Sequence, residues 1–183
     1  MTTIYQTIND TQSPDKIEQN GPILCENKNA WLGRGYYFWE SFIQNAHWWG
    51  SVHNNNSYII CQSCYEKDET CFDLIDNPTH LQLLQDIIEE MKRQGLFKPQ
   101  TTVARVIEYL RKINIFDYCS TRAYAIGCKS ERSPYFNTIR FQNGNLAYLD
   151  LNPPYQICFY TKKALKSEYK IIYPEIYLEG YGI

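Results

Sequence analysis

The chain has 183 residues, 44% of them hydrophobic and 21% charged, so its length and composition are those of one globular domain over residues 1–183. These proportions exclude a disordered, collagen-like or coiled-coil protein, and no apolar run approaches the roughly 18 residues that cross a bilayer. The net charge is −2, but the charges are unevenly distributed: residues 1–92 carry 13 acids and 5 bases, and residues 93–183 carry 13 bases and 7 acids. The basic second half could therefore face a polyanion.

The first half of the chain is predicted to form a strand, a helix, an aromatic strand and a second helix. Residues 4–8 alternate β-forming side chains, which is typical of a strand. Serine and then proline favour a helix start and glycine a helix end, so a short helix is predicted over 14–20. Aromatic residues at 36–39 predict a second strand, and the spacing of apolar residues over 40–50 predicts a helix.

The second half is predicted to begin with helices and to end with strands. Strand-like residues at 58–74 are interrupted by a polar turn. Apolar residues then recur at helical spacing over 79–94 and 101–113, and we expect these helices to form an elaboration over about 79–113 on one side of the domain. Strand patterns return in four short segments: 138–141, 146–149, 156–160 and 171–178. The chain is therefore predicted to be a single α+β domain.

The seven cysteines are predicted to be reduced thiols. Their number is odd, and the N-terminal residues lack the basic and apolar regions of a signal peptide, so we expect a cytoplasmic protein with no disulfide framework and no membrane partner. Cys61, Cys64 and Cys71 could form a metal site, with His47, His53 or His80 as the fourth ligand. A second paired knuckle is missing from the sequence, so we predict buried, inert thiols and no metal.

Glycines followed at once by an aromatic strand form the most distinctive segment of the chain. The segment Leu32-Gly33-Arg34-Gly35-Tyr36-Tyr37-Phe38-Trp39 resembles the Gly-x-Gly-x-Tyr-Phe motif of ADP-ribosyltransferases, in the branch of poly(ADP-ribose) polymerases and diphtheria-type toxins. Tyr5-Gln6-Thr7 is similar to the opening strand of that family, and Ala46-His47-Trp48-Trp49 to its Ala-x-x-Trp helix. Tyr155-Gln156-Ile157 resembles the head of the family's catalytic strand, and these segments follow one another in the expected order.

The resemblance implies both a fold and a site. The fold would be two small packed antiparallel sheets that form a cleft for NAD. Tyr37 would stack on the nicotinamide, Gln6 and the backbone of Thr7 would hold the ribose and the amide, and Gln156 would orient the reacting ribose. Glycines before a strand also let the backbone approach a ligand closely. The remaining NAD-binding residues implied by the resemblance are Gly35, Tyr36, Ala46 and Trp49.

Two positions differ from the family. Gln6 stands where the family has histidine, and Gln156 stands where it has glutamate. A neutral amide can orient a ribose hydroxyl, but it supplies no negative charge to an oxocarbenium-like transition state. Another carboxylate could replace the glutamate, with Asp150, Glu175 and Glu179 as candidates, or turnover could rely on positioning and a nucleophilic target. Glu175 or Glu179 could also be the third catalytic position in place of Gln156.

The resemblance implies a transferase that uses NAD as its substrate and modifies a macromolecular acceptor, either protein or nucleic acid. A stand-alone domain of this size fits a microbial toxin, effector or anti-phage enzyme. The resemblance therefore also implies a possible neutralising partner protein. The alternative is a catalytically silent module that binds NAD, ADP-ribose or a nucleic-acid end. A transferase of the RNA 2′-phosphate type is a further rival, but it would need basic residues in a pocket where this chain offers aromatic ones.

Overall fold

Seven strands hydrogen-bond into one mixed sheet in the computed structural model, which describes residues 1–144, 146–165 and 168–178. With the two strands of a separate hairpin, the strands are β1 Thr2–Asn9, β2 Tyr36–Glu40, β3 Tyr58–Tyr65, β4 Cys71–Asp73, β5 Ser120–Tyr124, β6 Thr138–Arg140, β7 Tyr148–Asp150, β8 Tyr155–Phe159 and β9 Lys170–Tyr173. The order across the sheet is β4-β5-β8-β2-β1-β3-β9, and β6 pairs with β7 in the hairpin. β4 and β5 are parallel, and the other paired strands are antiparallel.

The helices of the described residues are α1 Pro14–Asn20, α2 Ile43–His53, α3 Pro78–Arg93 and α4 Val103–Lys112. α3 and α4 begin where the side chains of Asn77 and Thr102 accept hydrogen bonds from backbone N–H groups, as N-cap residues do. These two helices form the predicted elaboration and pack their apolar faces on each other. None of the helices in the described part of the chain has both the length and the apolar character needed to span a bilayer.

The helix predicted over 40–50 begins and ends three residues later in the structure, at Ile43 and His53. It begins later because Glu40 belongs to β2. The Glu40 carboxylate is drawn into a buried ion pair with Arg122, with 2.7 Å between Oε2 and Nε. Ser41 then has a φ of 62°, a left-handed conformation in which a helix does not begin. The helical segment therefore starts at Ile43 and extends to His53.

The α+β class predicted from the sequence is confirmed, but seven of the strands form one continuous sheet, and only the short β6–β7 hairpin is separate from it. β1 and β2 are paired only at Ile4–Glu40 and Tyr5–Trp39. These two residue pairs alone connect the two halves of the seven-stranded sheet. β1 is paired along its whole length with β3 on its other edge, and β2 is paired with β8. The ladder between β1 and β2 stops at Gln6, and a gap opens there in the middle of the sheet.

Alternation along β2 sends its side chains to two different cores. Phe38 packs against Phe159 and Ile4 on one face of the sheet. Trp39, the next residue, packs with Ala46 and Trp48 of α2 on the other face. The face that carries Trp39 is also the face on which the gap between β1 and β2 opens.

Five charged side chains form a group at one end of the sheet that we call the ionic cluster: Glu40, Lys67, Asp73, Asp76 and Arg122. Arg122 donates to Glu40 at 2.7 Å and to Asp76 at 2.6 Å, and it lies 3.2 Å from Asp73. Lys67 donates to Asp73 at 2.6 Å. Burial by itself would raise the pKa of Asp73, but the hydrogen bonds from Lys67 and from backbone N–H groups, with the charge of Arg122, lower it to about 2.

Candidate functional site

A cavity of about 580 Å³ opens at the gap between β1 and β2. Its wall is made by the end of β1, a loop within residues 23–31, side chains of β2 and β8, and the last turn of α2. The volume falls within the roughly 300–1,000 Å³ that is usual for small-molecule sites. We call it the aromatic cavity, because Trp31, Tyr37, Trp39 and Trp49 line it.

The four tryptophans of the chain form one cluster at this cavity. Trp48 packs behind Trp39 with 5.7 Å between ring centroids, while the other three line the cavity. Trp31 makes edge-on contacts with Trp39 at 6.1 Å and with Trp49 at 5.9 Å. Such rings offer flat surfaces to a flat ligand. A bound ligand would also be expected to change the tryptophan fluorescence of the whole protein.

Tyr37 lines the cavity with its ring held in place through its hydroxyl group. Trp39 is paired with Gln156 of β8, and Tyr37 lies two residues before Trp39, so the three side chains share one face of the sheet. The Leu32 N–H donates to the Tyr37 hydroxyl oxygen at 2.8 Å, and the hydroxyl donates to the Gly33 carbonyl at 2.6 Å. Burial raises the pKa of Tyr37, so its ring is a neutral phenol.

Gln156 has an unmet hydrogen bond at the wall of the cavity. The residue is only 6% exposed, and its Oε1 atom accepts no hydrogen bond from any described residue. Buried polar atoms of native proteins are almost always paired. An unpaired buried acceptor beside a cavity can accept a hydrogen bond from water or from an O–H or N–H group of a ligand.

Gln6, by contrast, uses its whole amide within the protein. Its Nε2 donates to the carbonyls of Ile23 at 2.9 Å and Tyr37 at 3.3 Å. Its Oε1 accepts from the Ile23 N–H at 2.8 Å and from the Tyr169 hydroxyl at 2.7 Å. A carboxamide has two donors and two acceptor positions, so this side chain is saturated. In this geometry Gln6 connects the loop that carries Ile23 to β1 and β2. Its amide has no free donor or acceptor for the ribose contact that the resemblance implies.

Thr7 and Trp49 line the cavity, but three other residues implied by the resemblance are not among the lining residues. Ala46 is buried, and its carbonyl accepts a 2.8 Å hydrogen bond from the Thr7 hydroxyl. Tyr36 packs against the core on the opposite face of β2. A Cβ atom on Gly35 would lie 2.4 Å from the sulfur of Cys158, so this glycine allows close approach to β8 rather than to a ligand.

Among the described residues, no lysine, arginine, aspartate or glutamate lines the aromatic cavity. Asp150, one candidate for a replacement carboxylate, lies 3.7 Å from the amino group of Lys129 and outside the cavity wall. Glu175 is exposed in a short 3₁₀ turn, Glu175–Tyr177, and does not line the cavity either. Glu179 lies outside the described residues. The described wall therefore carries no carboxylate that could take the role of the family's glutamate.

The three cysteines that were considered as a metal site, and predicted to be inert thiols, occupy different surroundings. Cys61 is buried in β3 against Ile17, Ile59 and Ile171, and burial raises the pKa of its thiol to about 12. Cys71 is buried in β4, while Cys64 is half-buried. The described residues contain no group of three or more histidine, cysteine, aspartate or glutamate side chains placed to hold a metal.

Sequence reasoning missed two parts of the cavity wall. The loop that contributes Ile23 and Cys25 has no motif of its own, and only long-range contacts bring it to the cavity. His53 was missed because the helix was expected to end before it. Trp31 stands beside the distinctive glycine and aromatic segment, and this aromatic density was the signal that could have placed it at the site.

Comparison with protein-family models, curated proteins and solved structures finds no match for this chain. What the chain does must therefore be inferred from the cavity itself.

Proposed function

We propose that the protein is a domain of the ADP-ribosyltransferase type that binds NAD in the aromatic cavity and transfers ADP-ribose to a macromolecular acceptor. One observation carries this proposal. Gln6, Tyr37 and Gln156, the positions that the resemblance implies, come from three neighbouring strands and line the same cavity although they are far apart in the chain. The fold, and not proximity in the sequence, brings these three residues together.

The composition of the wall supports NAD as the ligand. The nicotinamide ring of NAD is flat and positively charged, so it is attracted to the faces of aromatic rings. The described wall supplies Tyr37 and tryptophans, and it carries no lysine or arginine that would repel the ring. The unpaired Oε1 of Gln156 would accept a hydrogen bond from a hydroxyl of the attached ribose.

The transfer would break the bond between C1′ of the ribose and the nicotinamide nitrogen, and nicotinamide would leave with the bonding electron pair as a neutral molecule. A nucleophilic oxygen or nitrogen of the acceptor would bond to C1′ and lose its proton to a base or to solvent. Because Gln156 is neutral, the positive charge that develops on the ribose is not offset by the described cavity wall. In this proposal the protein contributes position, and the acceptor contributes the nucleophile.

The test is to incubate the purified protein with NAD and cell lysate and to measure nicotinamide release and the mass of modified acceptors. The expected result is NAD-dependent release and a mass increase of one ADP-ribose on an acceptor, both reduced in Tyr37→Ala. Gln156→Glu restores the family's carboxylate and is expected to increase nicotinamide release if the missing charge limits the reaction. Loss of activity in Glu175→Gln or Glu179→Gln, with Gln156 variants unchanged, would instead move the third position to the C-terminal end.

A silent NAD-binding or ADP-ribose-binding module is the second candidate. It is favoured by the saturated amide of Gln6 and by the absence of a carboxylate from the described wall. Saturable quenching of tryptophan fluorescence by NAD, with no nicotinamide released in any lysate, would decide for the module over the transferase.

A further inference from the structure

The hairpin of β6 and β7 carries its apolar side chains on one face. Ile139 is paired with Leu149, so their side chains share a face of this two-stranded sheet. Phe141 and Leu151 each lie two residues beyond a member of that pair, and their N–H groups continue the ladder at 3.1 and 2.9 Å. Alternation places them on the same face. We call these four residues the apolar hairpin face, and no charged residue of the described hairpin belongs to it.

The apolar hairpin face is exposed to solvent. The exposed fractions are 56% for Ile139, 67% for Phe141 and 47% for both Leu149 and Leu151. None of the four residues belongs to a hydrophobic core formed by the described part of the chain. An antiparallel sheet usually packs its apolar face on the core and exposes its polar face. This hairpin has the opposite arrangement.

The polar face of the hairpin fixes that arrangement. Asp150 follows Leu149 on β7, points to the opposite face and lies 3.7 Å from the amino group of Lys129. Lys129 is buried, and it donates to the Asn152 carbonyl at 2.7 Å and to the Asn45 side-chain oxygen of α2 at 3.3 Å. Turning the hairpin over would take the carboxylate away from a buried cation, which is costly. The body of the domain therefore holds the apolar hairpin face outward.

A hairpin of this kind needs a cover. Each of its strands has three residues, and two strands alone are at best marginally stable in water. Exposed apolar patches of several hundred Å² on a monomer mark interaction sites. The apolar hairpin face therefore has the properties of a contact surface.

The size of the apolar hairpin face fits contact with a second copy of the chain. An aromatic side chain buries roughly 150–250 Å², so four large side chains that are each about half exposed present on the order of 400 Å². Apolar atoms form roughly 60% of an interface, so contact between two such faces would bury about 1,300 Å² in total. Specific interfaces bury about 1,200–2,000 Å². Two copies together therefore supply the area that a dimer needs.

The chemistry of the face favours a second copy over a lipid surface. In a two-fold dimer the same patch meets itself, so a charged residue near the axis would oppose its own charge. The described residues of the apolar hairpin face include no such charge. Contact with an anionic lipid surface gains from lysine and arginine beside the apolar side chains. Arg140 is instead on the other face, with its guanidinium 5.5 Å from the ring centroid of Tyr148.

We infer that the apolar hairpin face is the contact surface of a two-fold dimer, in which the β6–β7 hairpins of two copies pack face to face. Two hairpins packed in this way form a small sandwich of four strands, with the apolar hairpin face of each copy on the inside. None of the described hairpin residues lines the aromatic cavity. The inference therefore goes beyond the proposed function and does not depend on NAD binding.

Sedimentation velocity of the purified protein at increasing concentrations measures the association. The wild type is expected to pass from monomer to dimer with a dissociation constant on the order of 10 μM, because the buried area lies at the lower end for specific complexes. Phe141→Lys and Leu149→Lys each place like charges near one another across the two-fold axis. Each is expected to raise the dissociation constant by roughly ten-fold or more.

Leu81→Lys is the matched control. Leu81 lies on α3, outside the hairpin, and is 45% exposed, so the substitution adds the same charge at a leucine as exposed as Leu149. It should leave the dissociation constant of the dimer unchanged. All three substituted positions are exposed, so the variants should fold as the wild type does, and thermal unfolding checks this.

The outcomes separate this inference from its alternatives and from the proposed function. A wild type that stays monomeric at every concentration overturns it, and sedimentation of that monomer with phosphatidylcholine vesicles would assign the face to lipid instead. A dimer that persists in both hairpin variants, or that is lost equally in Leu81→Lys, also overturns it, because the interface then lies elsewhere. A dimer that binds no NAD would refute the proposed function and leave the dimer contact standing.

Discussion

Trp39 and Glu40 are neighbours on β2, yet their side chains enter opposite kinds of surroundings. Trp39 faces the aromatic cavity, whose described wall has no carboxylate and no lysine or arginine. Glu40 faces the ionic cluster, where it is 2% exposed and bonded to Arg122. The alternation of side chains along one strand is enough to separate these two regions.

The two regions differ in whether their polar groups are satisfied. In the ionic cluster the buried carboxylates of Glu40 and Asp73 each contact a cation, so these charges connect the ends of β2 and β4 to the middle of β5. In the cavity the buried Oε1 of Gln156 has no donor among the described residues. The unmet hydrogen bond of Gln156 therefore distinguishes the cavity from the ionic cluster. The following substitutions test that distinction.

Breaking the ionic cluster is expected to have the largest effect. Arg122→Met would leave the carboxylate of Glu40 buried without its cation and Asp73 with Lys67 alone, which costs about 3–5 kcal/mol of the free energy of unfolding. Denaturant unfolding measures this loss. Arg105→Met is the control, because its ion pair with Glu108 is exposed and should contribute less than about 0.5 kcal/mol. A similar small effect for both variants would show that the buried cluster does not stabilise the fold.

The two glutamines of the cavity give the next comparison, and we expect opposite results from the same substitution. Gln6→Met removes four hydrogen bonds and leaves polar groups of Ile23 and Tyr169 unpaired, so the free energy of unfolding should fall by about 2–3 kcal/mol. Gln156→Met removes an acceptor that is already unpaired, so stability should stay the same or rise by about 1 kcal/mol.

Ligand titration completes the comparison of the glutamines. Gln156→Met should weaken NAD binding although the protein is as stable as the wild type, which is the pattern of a residue kept for function. A loss of stability in Gln156→Met as large as that in Gln6→Met would mean that Gln156 is a structural residue.

The pH dependence of stability should report on the ionic cluster. The pKa of Asp73 is about 2 in the folded protein, below its ordinary value of 3.8, so its ionised form stabilises the fold above about pH 4. This contribution, on the order of 2 kcal/mol, is lost as the pH falls from about 4 to about 2. The free energy of unfolding of Asp73→Asn should depend less on pH over that window. The exposed control Asp86→Asn should keep the pH dependence of the wild type. An unchanged profile in Asp73→Asn would exclude Asp73 as the group that titrates.

The elements of this fold were predictable where local pattern decides them. The alternation of residues 4–8, the aromatic strand at 36–39 and the helical periodicity of α3 and α4 all correspond to elements of the structure. The start of α2 was not predictable in this way, because an ion pair between residues 82 positions apart keeps Glu40 in the strand. The continuous sheet was missed for a similar reason, since two residue pairs decide whether β1 joins β2.

The candidate site was predictable only in part. The motif placed Tyr37, Trp49, Gln6, Thr7 and Gln156, and all five line one cavity. The saturation of Gln6 depends on Ile23 and Tyr169, which reach it from distant parts of the chain, and no local pattern reveals such bonds. The motif also could not show that Gly35 is required by the packing of β2 on β8.

The smallest expected effect separates the two adjacent tyrosines of β2. Tyr37→Ala should weaken NAD binding by roughly two- to ten-fold, because an aromatic stacking contact contributes about 0.5–1.5 kcal/mol beyond the area it buries. Tyr36→Ala should leave the dissociation constant nearly unchanged, since Tyr36 packs on the opposite face of the sheet against the core of Phe38 and Phe159. Calorimetry measures both constants, with thermal unfolding run in parallel so that any loss of folded protein is counted. Both substitutions remove a ring from the same strand, so the comparison holds strand propensity constant and changes only the face. Equal weakening by the two would mean that the ligand does not contact Tyr37, and the proposed orientation of the nicotinamide ring would then be wrong even if NAD bound elsewhere in the cavity.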